Sequence, residues 1–289
     1  MLSKVLAHLI RKNHREGGVY AEPYAGGAGA ALTLLFSEHV QKLILNDADF
    51  SIYAFWHSVL DRTDELLKLI TDTPLTTDEW RRQREIYVRP RAHSSLEVGF
   101  ATFYLNRCNR SGIIGNGGLI GGQNQAGKWK LDARFNKTEL ARRVLRIALY
   151  RHRISLFNLD AIDFLRLHIS KCDVASKVFV YLDPPYYSKG SQLYLDYYEP
   201  DDHRQLADYI ACQQSFLWIM SYDDVRDIRR LYADFRQVRF ALGYSARSRR
   251  AGKEMLILSD RLEFPLRWKS RVPAKYITTA DGVPIPLAG

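Results

Sequence analysis

The heptapeptide YLDPPYY at 181–187 lies at the end of a strongly apolar run, KVFVYL. Proline fixes its own φ and has no N–H, so Pro184 and Pro185 predict a rigid turn. That turn holds the Asp183 carboxylate close to the backbone carbonyl of Pro184. Both groups accept hydrogen bonds, and neither proline offers an N–H that would compete for them. The turn therefore presents two fixed acceptors at the end of a buried strand.

Two fixed acceptors suit an amine whose lone pair is delocalised into a ring, such as N6 of adenine. Acceptors aimed at its two N–H hydrogens would pull the nitrogen toward sp³ geometry and localise the lone pair. Tyr186 offers a face on which an extruded base can stack. An ordinary proline-rich turn is the alternative, but α/β proteins bind ligands where such strands end. We therefore predict methyl transfer to an amino nitrogen, with these catalytic residues: Asp183, Pro184, Pro185 and Tyr186.

A small-residue turn, AEPYAGGAGA at 21–30, follows the first predicted strand. Small residues let a ligand approach the backbone, and the helix N-terminus that follows favours an anionic group. The turn does not match G-x-G-x-x-G, which argues against a dinucleotide. Two more acids end predicted strands: Asp47 could accept both ribose hydroxyls of a nucleoside, and Asp160 could accept an adenine amino group. Each acid alone is more often a helix N-cap, but three strand ends in series with the acid-Pro-Pro-Tyr turn favour a shared site.

Alternating strand and helix patterns predict the elements that position these groups. Strands are expected at 19–23, 42–46, 154–158, 177–182 and 215–221, with a long helix over about 50–70 and two late strands near 237–242 and 254–259. This alternation predicts an α/β fold with a mainly parallel sheet. We expect a core formed by 1–70 and 146–289, interrupted by an inserted, mostly helical domain at 71–145. Its glycine-rich stretch at 111–127 is expected to be a mobile loop outside the core.

The net charge of +10 is concentrated in one segment. Residues 81–153 contain 16 Lys and Arg against 4 Asp and Glu, a net +12, so the rest of the chain carries −2. A solvated basic face is one explanation, but such concentration favours nucleic acid as the partner. No apolar run is long enough to span a membrane, and no export signal is evident, so a cytoplasmic location is expected. The protein is expected to be a monomer. Three scattered cysteines predict neither disulfides nor a metal site.

The order EPYAGGAG, LNDAD, NLDAIDF, LDPPYY resembles the Dam-class (D12, alpha-type) adenine-specific DNA N6-methyltransferase family. The resemblance extends to YLNRCNRSG, GKWKLDARFNK and KEMLI, and so covers nearly the whole chain. It implies a Rossmann-like methyltransferase core with an inserted target-recognition domain. It also implies S-adenosyl-L-methionine as methyl donor, with S-adenosylhomocysteine as product, and double-stranded DNA with a flipped adenine as substrate. A cognate restriction endonuclease or a phage-like origin would be consistent with such an enzyme.

The resemblance implies roles for the residues of this sequence that match the family's motifs. Asp47 would bind the cofactor ribose, Asp160 its adenine, and Asp183 both cofactor and target. The methionine moiety would be flanked by Glu22, Pro23, Tyr24, Ala25, Gly26 and Gly27. The residues expected to face DNA are Arg107, Asn109, Arg110, Lys128 and Arg134.

One departure and two alternatives accompany this resemblance. Family members carry an aromatic-x-Gly-x-Lys segment ahead of the first helix, whereas this sequence starts at that helix, where Lys4 is expected to be an ordinary helix lysine. A catalytically silent DNA-binding relic is therefore one alternative. The other is an RNA or protein-glutamine methyltransferase with the same kind of turn. Glutamine modifiers prefer Asn where this chain has Asp183, and RNA enzymes usually lack a large basic insertion.

Overall fold

A computed structural model describes residues 2–171, 175–187, 198–242, 252–264, 277–278 and 284–285. The helices are α1 (Leu2–Lys12), α2 (Gly29–Phe36), α3 (Phe50–Asp61), α4 (Thr63–Asp72), α5 (Thr77–Val88), α6 (Ser95–Cys108), α7 (Lys137–Ala148), α8 (Ala161–Phe164), α9 (Pro200–Ala211) and α10 (Arg226–Leu231). The strands are β1 (Val19–Glu22), β2 (Lys42–Asn46), β3 (Ile154–Phe157), β4 (Val178–Leu182), β5 (Leu217–Asp223), β6 (Arg236–Leu242), β7 (Gly252–Leu258), β8 (Ile277–Thr278) and β9 (Pro284–Ile285).

The chain divides into two compact units. The first contains residues 2–46 and the described residues from 160 onward, and the second contains residues 47–159. The second unit therefore includes α3, α4 and β3, which the sequence analysis assigned to the core. The long helix expected over 50–70 is two helices, because Arg62 between them has non-helical φ and ψ of −133° and 41°.

An open sheet forms the centre of the first unit, with the strand order β2-β1-β4-β5-β7-β6. The strands β2, β1, β4 and β5 run parallel, and β7 lies antiparallel between β5 and β6. All five side chains of β4 are buried, as a continuous apolar run in a parallel sheet predicts. Tyr20 of β1 stacks on Phe179 of β4 with ring centroids 6.4 Å apart. The sheet therefore has a tightly packed centre next to the YLDPPYY turn.

Local sequence signals explain the main helices of the second unit. Ser94 and Glu97 form a reciprocal capping box at the start of α6, and Asn136 caps α7 through the N–H of Glu139. The helix α6 is buried along most of its length and packs on α3, where Phe55 stacks on Phe103 at 5.7 Å. This packing gives the second unit an apolar centre of its own.

Close packing of α3 and α6 depends on Gly99. A Cβ at this position would collide with the carbonyl of Ala54 and the hydroxyl of Ser58. We expect Gly99→Ala to lower the free energy of unfolding by about 1–3 kcal/mol through overpacking. This loss outweighs the gain of about 1 kcal/mol in helix propensity. The measurement is chemical denaturation, with Gly118→Ala as control, because a Cβ at Gly118 meets nothing within 4 Å. Equal stability of the two variants would contradict the prediction.

Candidate active site

Three acidic side chains lie where neighbouring parallel strands end. Glu22 is the last residue of β1, Asp183 follows β4 directly, and Asp223 is the last residue of β5. The register pairs Ala21 with Val180, so β1 and β4 end almost level with each other. Because parallel strands end at one edge of the sheet, these acids belong to one site of the first unit.

The glycine-rich turn after β1 is open to a ligand. Gly26 has a φ of +45° and Ala28 a φ of +44°, so the chain turns sharply before α2. A Cβ added at Gly26, Gly27 or Gly29 would meet nothing within 4 Å, so packing does not account for glycine at these positions. The helix α2 also begins without a side-chain cap. The turn therefore leaves space and amide donors for an anionic group.

Glu22 is a buried carboxyl at the floor of this turn. It is 4% exposed, and the Tyr20 hydroxyl donates a hydrogen bond to its Oε1 at 2.8 Å. Burial raises the pKa of Glu22 to about 8, and the nearby Asp183 contributes to the rise. The Tyr20 hydroxyl and the backbone N–H of Ala31 oppose that rise. Glu22 is consequently protonated in most molecules at neutral pH.

Asp183 is held by a pair of hydroxyl groups. Ser221 of β5 donates a hydrogen bond from Oγ to Asp183 Oδ1 at 2.5 Å, and the Tyr181 hydroxyl lies 2.8 Å from the same Oγ. Solvent reaches the Asp183 side chain, yet desolvation by the surrounding protein raises its pKa. The two hydroxyls counteract that rise. A carboxyl with a raised pKa is a stronger proton acceptor once it is ionised.

The two tyrosines of the turn are anchored by strands on one side of β4. The hydroxyl of Tyr186 donates to Glu254 Oε1 at 3.0 Å, and the backbone N–H of Tyr187 donates to Asp223 Oδ1 at 3.1 Å. Desolvation raises the pKa of Glu254, and Asp183 and Asp223 add to the rise. The Tyr186 ring therefore has a fixed attachment at its hydroxyl end.

The two acids expected to contact a nucleoside also have local partners. In the first unit, Asp160 caps α8 by accepting from the N–H groups of Ile162 and Asp163, and its side chain is exposed. In the second unit, Asp47 Oδ1 accepts from the N–H of Asp49 at 3.0 Å. Each bond engages one oxygen of its carboxylate. Asp160 is thus a helix N-cap, as the sequence analysis allowed, whereas the N-cap of α3 is Asp49 and Asp47 accepts from its backbone N–H. A ligand role for each of the two acids remains a prediction.

Asn109 is an internal support of the loop expected to face DNA. It is 1% exposed and accepts from Trp80 Nε1 at 2.7 Å. Its amide nitrogen donates to the carbonyls of Ile113 and Ile114. The Asn109 side chain thus has no donor or acceptor group left unused, and the expected DNA contact passes to its exposed neighbours.

The glycine-rich stretch at 111–127 also differs from the free-standing loop that was expected. Leu119 and Ile120 within it are buried, and the N–H of Ile120 donates to the carbonyl of Cys108. Gln125 donates to the carbonyls of Ile120 and Gly122. The stretch is therefore attached to the core of the second unit at several points.

A group of cations surrounds this loop. Arg110, Lys128 and Arg134 are exposed, and Arg107 is half-buried. In the described parts of the chain, none of the four has a carboxylate within ion-pair distance. Burial lowers the pKa of Arg107, and the nearby positive charge of Arg134 lowers it further. Such a group of unneutralised cations favours an anionic ligand.

Four residues of the two units were missed by the sequence analysis. They are Tyr181, Ser221, Glu254 and Trp129. The first three are hydrogen-bonding residues on predicted strands, and only the strand order reveals which partner each one meets. Trp129 is 67% exposed beside Lys128, whose ammonium lies 5.8 Å from the centre of its ring. A signal for Trp129 was available, since the quoted segment GKWKLDARFNK has a large aromatic residue between two lysines.

The family model for the D12 class N6 adenine-specific DNA methyltransferases matches residues 2–242. The chain therefore belongs to the D12 class N6 adenine-specific DNA methyltransferase family, which confirms the resemblance. Its fold is a Rossmann-like methyltransferase core. The family implies use of S-adenosylmethionine and a DNA substrate.

No curated protein matches the chain. Among solved structures, a conserved hypothetical protein from Streptococcus pyogenes is 10% identical with a TM-score of 0.31, covering 86% of this chain and 90% of its own. The rRNA methyltransferase AviRa from Streptomyces viridochromogenes is 12% identical with a TM-score of 0.31, covering 88% of this chain and 82% of its own.

The described residues contain no group of three or more His, Cys, Asp or Glu side chains that could hold a metal ion. Within the same residues, no helix has the length and apolar character required to cross a bilayer.

The raised pKa of Glu22 predicts a pH-dependent stability. A carboxyl with a folded pKa near 8 binds more protons in the native state than in the unfolded state. Stability is therefore fully present below the ordinary pKa of the group and is lost as pH rises through about 8. We expect Glu22→Gln, which can still accept from Tyr20, to melt at a higher temperature than the native protein above pH 8.

The measurement is the melting temperature from pH 6 to pH 9, with the exposed Glu16→Gln as control. The control should follow the native protein at every pH. Parallel curves for Glu22→Gln and the native protein would contradict the assignment.

Proposed function

We propose that this protein is a site-specific DNA methyltransferase that transfers a methyl group to N6 of a flipped adenine in double-stranded DNA. The observation that carries the proposal is the acceptor pair of the YLDPPYY turn. The Asp183 carboxyl has one oxygen engaged by Ser221, which leaves the other for the target amine. The Pro184 carbonyl supplies the second acceptor, and the anchored Tyr186 ring supplies a stacking face.

S-adenosylmethionine fits the residues of the first unit. Its carboxylate is suited to the uncapped start of α2, and the open side of Gly26 and Gly27 lets a ligand approach the backbone. The solvent-exposed Asp160 would accept from its adenine. The ribose role that the resemblance gives to Asp47 remains a separate prediction. The bound cofactor supplies an electrophilic methyl group. No metal is needed for this chemistry.

The proton that must leave N6 during the reaction gives Asp183 a second proposed role. Methylation adds a carbon to N6 and leaves a positive charge on that nitrogen, so one N–H proton must depart. The ionised Asp183 carboxyl hydrogen-bonds that N–H and can take the proton. Its raised pKa makes the ionised carboxyl a stronger acceptor for that proton. One carboxylate therefore both activates the amine and removes its proton.

DNA binding is assigned to the loop cations of the second unit. We define the loop cations as Arg107, Arg110, Lys128, Lys130 and Arg134. Lysines act as phosphate contacts, whereas arginine can pair bidentately with guanine, which makes Arg110 the candidate base reader. The exposed Trp129 adds an aromatic face next to these charges. The buried Asn109 holds the loop that carries them.

Identification of the methylated product tests the proposed function. Incubation with duplex DNA and labelled S-adenosylmethionine, followed by nucleoside analysis, should show N6-methyladenine. Asp183→Ala should abolish turnover and leave DNA affinity nearly unchanged, because the carboxylate acts on the amine and not on phosphates. Tyr186→Ala should lose about 1–3 kcal/mol of base stacking.

The other outcomes identify the alternatives. Product in RNA or protein but not in DNA would favour the related amine and amide methyltransferases. No product, with no heat of cofactor binding in calorimetry, would favour a silent DNA-binding relic. N4-methylcytosine or 5-methylcytosine would overturn the choice of target base.

The loop cations predict the salt dependence of DNA affinity. Four phosphate contacts, from the loop cations other than Arg110, at about −0.9 each give a slope of log K against log salt of about −3 to −4. Lys128→Ala should reduce that slope by about one unit and weaken all sequences alike. Arg110→Ala should instead relax specificity at one position.

The measurement is fluorescence anisotropy from 50 to 300 mM salt (roughly the range over which phosphate contacts lose affinity). Arg89→Ala is the control, since Arg89, directly after α5, pairs with Glu85. A slope near zero would move the DNA site to the cluster of Arg247, Arg249, Arg250 and Lys253, the first three of which lie outside the described residues.

A further inference from the structure

The pair formed by Tyr181 and Ser221 is the main hydrogen-bonding contact of the proposed catalytic carboxyl. Tyr181 is 5% exposed and Ser221 is 7% exposed, so both hydroxyls lie in the sheet and away from bulk water. The register pairs Leu182 of β4 with Met220 of β5. Asp183 and Ser221 are each the next residue along these parallel strands. The strand pairing alone therefore brings Ser221 against the carboxyl.

The direction of each hydrogen bond follows from the number of protons available. A serine hydroxyl has one proton, and Ser221 donates it to Asp183 Oδ1. The 2.8 Å contact with Tyr181 must then be a bond in which Tyr181 donates and Ser221 accepts. Burial and the nearby Asp183 charge raise the pKa of Tyr181, so its hydroxyl keeps its proton. The result is an ordered chain from Tyr181 through Ser221 to Asp183.

We infer that Ser221, supported by Tyr181, is a positioning residue that orients the Asp183 carboxylate and keeps its second oxygen turned toward the target amine. This inference rests on the proposed function, since it concerns the reaction of Asp183. Ser221 does not touch the substrate and acts only through the carboxyl. A carboxylate free to rotate would present its oxygens in several directions, and misplacement of a reacting group slows the chemical step more than binding.

The same bond also offsets the electrostatic cost of ionising Asp183. Desolvation raises the pKa of this carboxyl, and the two hydroxyls lower it again. Among the described residues, the other titratable groups near it include Tyr20 and Glu22 on β1, Asp223 on β5, Glu254 on β7 and Tyr186 in the turn. All of these are acids or phenols, so none supplies a positive charge. Among the described residues, the two hydroxyl donors therefore offset the cost of ionising Asp183.

The test compares Ser221→Ala, Ser221→Thr and Tyr181→Phe in single-turnover methylation. Ser221→Ala should lower the methyl-transfer rate by about 10- to 100-fold, as expected for a hydrogen bond to a charged group. Dissociation constants for DNA and cofactor should change less than about threefold. The acid limb of the pH–rate profile should move to higher pH, because Asp183 loses a donor to its ionised form. Ser221→Thr, which keeps the hydroxyl, should restore most of the rate.

The matched control is Ser259→Ala, which removes another buried serine hydroxyl, one that contacts the backbone N–H of Trp218. It should change stability and leave the pH profile in place. Carbon-13 NMR of labelled aspartate gives a second readout without turnover, since the Asp183 titration should also move to higher pH in Ser221→Ala.

The possible failures are distinguishable. A native protein that transfers no methyl group contradicts the proposed function. A native rate and pH profile in Ser221→Ala, within an active enzyme, overturns the positioning role alone. A loss that Ser221→Thr fails to restore, with an unmoved Asp183 titration, would also overturn it.

Discussion

The parallel register of β1, β4 and β5 is the constraint on which the site depends. It ends three strands at one edge, so Glu22 and Asp183 leave the sheet close together. Desolvation raises the pKa of both carboxyls, and Asp183 adds to the rise at Glu22, which opposes the ionisation of Asp183 that the chemistry requires. Hydroxyl donors offset part of this cost, Tyr20 for Glu22 and Ser221 for Asp183. Fold and reactivity are thus coupled through hydrogen bonds within the sheet.

Much of the core could be predicted because its signals are local. The run KLILN predicts β2 to the residue, and KVFVYL differs from β4 by one residue. Strands of a parallel sheet are buried on both faces and are therefore continuous apolar runs, so they can be recognised from the sequence alone. The acids stand out for the same reason, since each one follows such a run directly. Asp183 and Glu22 could therefore be named before any tertiary contact was known.

Residues defined by tertiary partners could not be predicted in this way. Glu254 meets Tyr186 only because β7 inserts antiparallel between β5 and β6, and no local pattern encodes that insertion. Asn109 stands among arginines in a basic segment, so its sequence context resembles that of a DNA contact. Its burial depends on Trp80 approaching from α5, a contact across 29 positions of the chain. The break at Arg62 had no proline or glycine to mark it.

The basic segment combines two effects that total charge alone does not separate. Arg89 pairs with Glu85, and Arg142 pairs with Glu139. Such exposed pairs contribute little to stability. Glu85 and Glu139 are already counted in the net +12 of residues 81–153, so these pairs do not reduce the long-range electrostatic field of the segment. That field extends for about 8 Å at physiological salt and accelerates encounter with a polyanion. Specific contact requires cations that are not already paired, and these surround the loop that Asn109 holds. Encounter is therefore a property of the whole segment, whereas reading the DNA is a property of the loop.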